Sequence, residues 1–126
     1  MGLFFSEINN CYNLRYAEAC IKYKKIYVIL LKKLMEFNLI KNYKIIKNNI
    51  YIYLRYYNNK PIFFFKHYYH KSNFKYYTID KIRKKYRKSF NLYFTSLGIL
   101  TFEEMIIKNV GGKLLVSIDF YNKNIL

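Results

Sequence analysis

Phe4, Ile8, Cys11 and Tyr12 recur at i, i+4, i+7 and i+8, the spacing of one apolar helix face. A short extended piece, Ala19-Cys20-Ile21, follows. The run Ile26 to Leu31 could form a buried strand, but Ile26, Ile29, Leu30, Leu34 and Phe37 keep helical spacing, and Asn38 suits the left-handed stop after a helix. From Lys41 the period changes to two. Ile50, Ile52 and Leu54 alternate with Tyr51, Tyr53 and Arg55 as in a half-buried strand, with Tyr43 to Ile46 as hairpin partner across Lys47-Asn48-Asn49. Asn58-Asn59-Lys60-Pro61 reads as a turn into a third strand, Ile62 to Phe65.

In the second half, Phe74 to Thr78 is strand-like, Asp80 can cap a short basic helix to about Arg87, and Phe90 to Phe94 is again extended. Thr101 and Glu104 form a capping-box pattern that opens a helix ending near Lys108. Gly111-Gly112 then turns the chain into a last strand, Lys113 to Phe120. This order predicts an α+β fold of two small α/β domains. Residues 1–65 read helix, strand, helix, strand, strand, with a further strand at the end; residues 66–126 read as a mostly antiparallel sheet with short helices. No internal repeat or long linker interrupts them.

Asn, Ile, Lys and Tyr supply 66 of the 126 residues, and all four have A/T-rich codons. Choices of Lys over Arg or Tyr over Phe therefore carry little information, and spacing weighs more than identity. A hydrophobic content of 53% excludes simple disorder. The net charge of +16 points to a polyanion, either nucleic acid or an anionic membrane surface. That charge is spread: ten Lys and Arg face three acids over residues 1–59, and thirteen face four over residues 60–126. Cys11 and Cys20 are too few for a disulfide framework, and without a second Cys or His pair at ligand spacing there is no metal signature, so both read as small buried residues. The N-terminus lacks the basic region and cleavage site of a signal peptide, and the six apolar residues Ile26 to Leu31 fall short of the roughly 20 that span a bilayer. A soluble protein that works in the compartment where it is made is expected.

Catalytic readings find no nucleophile beside a base and an orienting third group. His67 lies in, and His70 directly after, the aromatic, basic stretch from Phe63 to Tyr69, which suits a surface or RNA-facing role better than catalysis. Gly98, Gly111 and Gly112 are too few for a glycine-rich phosphate cradle, and no cofactor or small-molecule substrate is implied. The polar cluster is Thr95-Ser96-Leu97-Gly98-Ile99-Leu100-Thr101. Its hydroxyls could bond base edges or ribose 2′-OH groups while Gly98 admits a close backbone approach; it reads equally as a strand-to-helix loop with Thr101 as N-cap.

The segment Phe94-Thr95-Ser96-Leu97-Gly98-Ile99-Leu100-Thr101, then Glu103-Glu104, then Lys108-Asn109-Val110-Gly111-Gly112-Lys113-Leu114-Leu115, resembles the C-terminal signature of the bacterial-type ribosomal protein S8 family of the small subunit. That pattern runs Ser-Thr-Ser-Lys-Gly, two aliphatics and Thr, a short helix, then Asn-Val-Gly-Gly. Upstream, Tyr53-Leu54-Arg55-Tyr56, Lys60-Pro61-Ile62, the stretch His70 to Tyr77 and Ile8-Asn9-Asn10 fall where the family has similar residues. Departures are Phe94 for Ser, Leu97 for Lys, Ser72-Asn73 for Pro-Gly and Lys113 for Glu, while Glu7 and Asn9 stand at Arg positions.

The resemblance implies a structural protein of the small ribosomal subunit, monomeric there and neither enzyme nor membrane protein. It would bind the central domain of the rRNA and help assemble the platform near small-subunit ribosomal proteins five and twelve. Its RNA contacts would include Thr95, Ser96, Gly98, Tyr77, Lys71, Lys75, Arg83, Lys84 and Lys113. Tyr77 could equally be core, and the lysines merely solvated. Lys113 in place of Glu would add a phosphate contact while loosening the recognition loop. Two other classes compete: a basic protein on an anionic membrane surface, through the Tyr23 to Phe37 helix and its lysines, and an RNA chaperone without sequence preference. The codon bias and the bacterial-type signature together suggest organellar encoding, in an apicoplast-like plastid or, failing that, a mitochondrion.

Overall fold

The structure is a computed structural model that describes residues 2–68, 76–85 and 90–121. It is an α+β fold divided into two compact units, one from Leu3–Phe64 rejoined at Phe120, the other from Phe65–Asp119.

The first unit opens with α1 (Gly2–Asn13), whose Phe4, Ile8, Cys11 and Tyr12 are all buried as their spacing predicts. Strand β1 (Glu18–Lys22) follows, then α2 (Lys25–Glu36), β2 (Ile40–Ile46) and β3 (Asn49–Leu54). The sheet is antiparallel in the order β1-β3-β2, with β3 at its centre. There the alternation holds, and Ile50, Ile52 and Leu54 point into the core. Phe4 packs on Phe5 and Tyr27, and Tyr12 edge-on against Tyr56 and Phe63. The Tyr12 hydroxyl donates to the Leu39 carbonyl at 3.2 Å and accepts from the Arg55 amide at 3.4 Å. Burial holds that phenol well above its usual pKa.

Three expectations need correction here. Helix α2 buries Tyr27, Leu30, Leu31 and Leu34, while Ile29 is 42% exposed, so the inward face is displaced from the isoleucine spacing. With isoleucine and leucine at adjacent positions, more than one stripe has helical period, and the sheet decides which is covered. Asn38 does supply the left-handed stop, at φ 57°, with its amide donating to Met35 and that of Leu39 to Leu34, the Schellman pattern. The β2–β3 turn is Lys47-Asn48 alone, because Ile46 pairs directly with Asn49. Both faces of β2 towards its turn are apolar and open, with Ile45 and Ile46 exposed between Lys44 and Lys47.

Only one cysteine is buried. Ala19 takes the inward position of β1, so Cys20 points out while Cys11 lies in the core. Burial, followed by the Glu7 carboxylate 3.5 Å away, pushes the Cys11 thiol up to about 11 from 9.0. Folding therefore disfavours its ionisation. The resulting contribution to stability is present below pH 9 and is lost as pH rises towards 11. Ellman's reagent at pH 8 should titrate Cys20 rapidly in the native chain and Cys11 only after urea; two fast equivalents in native buffer would contradict this burial.

After β3, a short ribbon pairs β4 (Tyr56–Tyr57) with β5 (Lys60–Pro61). Its two-residue turn has Asn58 and Asn59 both at positive φ, 50° and 62°, the type I′ geometry that asparagine tolerates. Strand β6 (Phe63–Tyr68) is longer than the expected Ile62 to Phe65.

In the second unit come β7 (Tyr76–Tyr77), α3 (Ile79–Lys85), β8 (Phe90–Thr95), β9 (Gly98–Thr101), α4 (Phe102–Lys108) and β10 (Gly112–Phe120). Its sheet runs β6-β10-β8-β9, with β7 also on β10. Residues Leu114 to Ile118 of this central β10 are all buried, and Leu115 is an extra residue that bulges the β8 pairing. Ile82, Tyr93, Leu100, Met105 and Leu114 form the core, flanked by Phe102 and Val110. The cap of α3 is Thr78, whose hydroxyl accepts from the Lys81 amide at 3.4 Å; Asp80 lies one residue inside the helix. Positions 86 and 87 of the expected helix, and Phe74 of the expected strand, lie outside the described residues.

Candidate nucleic-acid interface

The stretch Thr95 to Thr101 is a hairpin rather than a loop. Strand β8 ends at Thr95, Ser96 and Leu97 make the turn, and β9 returns with Gly98 opposite Thr95. Gly98 has φ 114°, where side-chain-bearing residues are strained. The Thr95 hydroxyl donates to the Gly98 carbonyl at 2.8 Å and accepts from the Leu97 amide at 3.1 Å, so it fixes the turn and keeps only acceptor capacity for a ligand. Ser96 is exposed and its hydroxyl has no partner among the described residues. Leu97 stands 57% exposed at the tip.

Thr101 ends β9 and caps α4. Its hydroxyl accepts from the Glu104 amide, while the Glu104 carboxylate accepts from the Thr101 amide and hydroxyl, both at 3.1 Å. This is the capping box expected from the spacing. At its other end α4 stops on Asn109, left-handed at φ 53° and ψ 51°, and the Asn109 and Val110 amides close back on Ile106 and Met105. Gly111 and Gly112 lead directly into β10.

Gly112 is what lets these two turns meet. A Cβ on it would lie 2.6 Å from the Phe94 carbonyl oxygen and 2.9 Å from the Thr95 methyl group. The bare backbone permits Lys113 to pair with Phe94 in the β8–β10 ladder. A groove of about 470 Å³ results, walled on one side by Phe94, Thr95 and Ser96 and on the other by Asn109, Val110, Gly111 and Lys113. Among the described residues no carboxylate lines it, and Lys113 is exposed at its rim.

Strand β7 pairs Tyr77 with Gly112 and Tyr76 with Lys113, so Tyr77 reaches the same end of the sheet. The structure therefore brings Thr95, Ser96 and Lys113 to one groove, with Gly98 at the hairpin base and Tyr77 beside it in register. Tyr77, Arg83 and Lys84 are described through their backbones only, the latter two on α3; Lys71 and Lys75 lie outside the described residues, as does His70. The Asn109–Gly111 wall was visible in the sequence only as a signature, since its place opposite Ser96 depends on the β8–β10 register. Among the described residues the arrangement offers hydroxyl and amide hydrogen-bonding groups around one cation. Among the described residues no cluster of His, Cys, Asp and Glu could hold a metal ion, and no helix is long and apolar enough to cross a membrane.

A family model, ribosomal protein S8, matches residues 2–118 of the chain. No curated protein matches it.

Proposed function

From the premise that the chain belongs to the ribosomal protein S8 family, a structural, rRNA-binding component of the small ribosomal subunit, we propose that it binds the central domain of that rRNA and helps assemble the platform. Small-subunit ribosomal proteins five and twelve would be its neighbours. The observation that carries this reading is the groove between the Thr95–Gly98 hairpin and the Asn109–Lys113 turn, because the two halves of the family signature form its two walls.

Ser96, with its unpartnered hydroxyl, would donate to a base edge or a ribose 2′-OH. Thr95 would hold the turn in shape and accept a hydrogen bond. Lys113 would neutralise a phosphate at the rim, and Tyr77 would pack or stack beside it. Lys71, Lys75, Arg83 and Lys84 would supply further phosphate contacts. These dispersed cations give affinity but little sequence information; the hairpin would supply the discrimination. We further propose an organelle-encoded protein of an apicoplast-like plastid, with a mitochondrion as the alternative, on the strength of the A/T-biased composition. A nuclear gene with an upstream import sequence would overturn that location.

The test is a gel-shift titration of the purified chain on its small-subunit central-domain helix against a scrambled duplex of equal length, across a salt series. A preference of roughly a hundredfold or more that persists as salt rises is expected of specific recognition. Equal, steeply salt-dependent affinities would leave only a polycation.

A further inference from the structure

We propose that the first unit carries a second RNA-backbone site, a cationic cleft of about 700 Å³ lined by Arg15, Lys41, Tyr56, Asn58 and Asn59, distinct from the hairpin groove of the second unit. It rests on the rRNA-binding reading and adds a contact that the signature segments do not predict.

Three separate backbone irregularities converge on this cleft. Arg15 follows α1 at φ 61°, the left-handed position that closes the helix through its amide to Tyr12 and the Tyr16 amide to Cys11. Glycine or asparagine is the usual residue there, and arginine carries a conformational cost that its backbone role does not explain. Lys41 is the extra residue of a β-bulge, since Ile40 pairs with Leu54 and Asn42 with Tyr53; bulges re-aim the side chain they carry. Asn58 and Asn59 form the type I′ tip, whose short ribbon holds their amides outside the sheet. One such irregularity is ordinary, but three that bring two cations and two amides to one concavity define a binding surface.

The chemistry of the lining selects the ligand. Arg15 donates one Nη1 bond to the Tyr12 carbonyl at 3.1 Å, which anchors the guanidinium and leaves its other N–H groups available. The Tyr56 hydroxyl donates to the Tyr16 carbonyl, with Cys11 at 3.5 Å, so these carbonyls at the end of α1 already have donors. Among the described residues the cleft thus has no carboxylate and presents two positive charges beside two amides. A phosphodiester fits the cations, and the amides can bond the adjacent 2′-OH or an unpaired base edge. A polar lining of this kind does not suit an apolar ligand or a lipid chain.

The experiment uses the full chain and a central-domain rRNA transcript, titrated from low to high salt. Arg15→Gln with Lys41→Gln is expected to weaken binding about tenfold or more and to flatten the log–log salt dependence by about 1.4 to 1.8, from roughly 0.7 to 0.9 per phosphate contact. Lys22→Gln with Lys44→Gln removes two exposed charges from the same unit outside the cleft and should change affinity less than threefold. Because Arg15 also helps close α1, Asn59→Asp provides a second arm: aspartate tolerates the turn geometry but adds a negative charge at the rim, and should weaken binding about tenfold without shifting the melting temperature. If the unaltered chain binds the transcript specifically while Arg15→Gln/Lys41→Gln behaves like the control pair and Asn59→Asp like the unaltered chain, the cleft is not an RNA site and the hairpin reading stands. If the unaltered chain shows no preference for the transcript over scrambled RNA, the ribosomal reading falls and this inference falls with it.

Discussion

Gly112→Val is expected to destabilise the second unit by about 3 kcal/mol, the upper range for forcing atoms into a filled site. The first atom of the new side chain would stand 2.6 Å from the Phe94 carbonyl oxygen, inside any real contact, and the obstacle is backbone rather than a side chain that could swing away. Relief would require β10 to part from β8 where Lys113 pairs with Phe94, and that pairing aligns the groove walls. Gly98→Ala provides a contrast. There the space is open and only the φ of 114° is adverse, so the cost should stay near 1 kcal/mol. Urea unfolding followed by far-ultraviolet circular dichroism suits a chain without tryptophan. A Gly112→Val midpoint no lower than that of Gly98→Ala would mean that the close approach of β10 to β8 is absent.

Thr95→Ala combined with Ser96→Ala should weaken specific rRNA binding by about 1 to 3 kcal/mol, the scale of buried hydrogen bonds left unmade. The two positions should fail differently. Ser96→Ala removes a hydroxyl with no internal partner, so its effect should be confined to affinity. Thr95→Val also releases the Gly98 carbonyl and the Leu97 amide, so it should loosen the turn and lower stability as well as affinity. A gel-shift titration of the double variant with unchanged affinity would remove the hairpin from the interface.

Legibility in the sequence followed how far each feature depended on distant parts of the chain. The β3 alternation, the Asn38 stop and the Thr101–Glu104 box are local devices, settled by residues within one or two turns of each other, and all three stand in the structure. The buried face of α2 is not local. Ile26 and Ile29 compete with Tyr27 and Leu31 for the same inward direction, and only the sheet beneath selects the second pair. Thr95 to Thr101 looked like a loop because its polar residues masked a four-residue strand, whose identity comes from pairing with β8. The Asn109–Gly111 wall and the Arg15–Lys41 cleft were hidden for a related reason. Their residues lie far apart in the chain, and register, a bulge and left-handed backbone bring them together.

The outer edge of β2 bears on how the free chain behaves in solution. Ile45 and Ile46 are open on a strand with no neighbour on one side among the described residues, which is a template for a second chain to add its own strand. Lys44 and Lys47 flank them, and two such edges approaching each other bring like charges together. This protection is electrostatic and therefore conditional: at 1 M salt the screening length shrinks to about 3 Å, and the repulsion fades while the apolar attraction does not. The high-salt washes commonly used to strip RNA from basic proteins would thus remove both the natural polyanion and the guard on this edge, favouring self-association of the isolated chain.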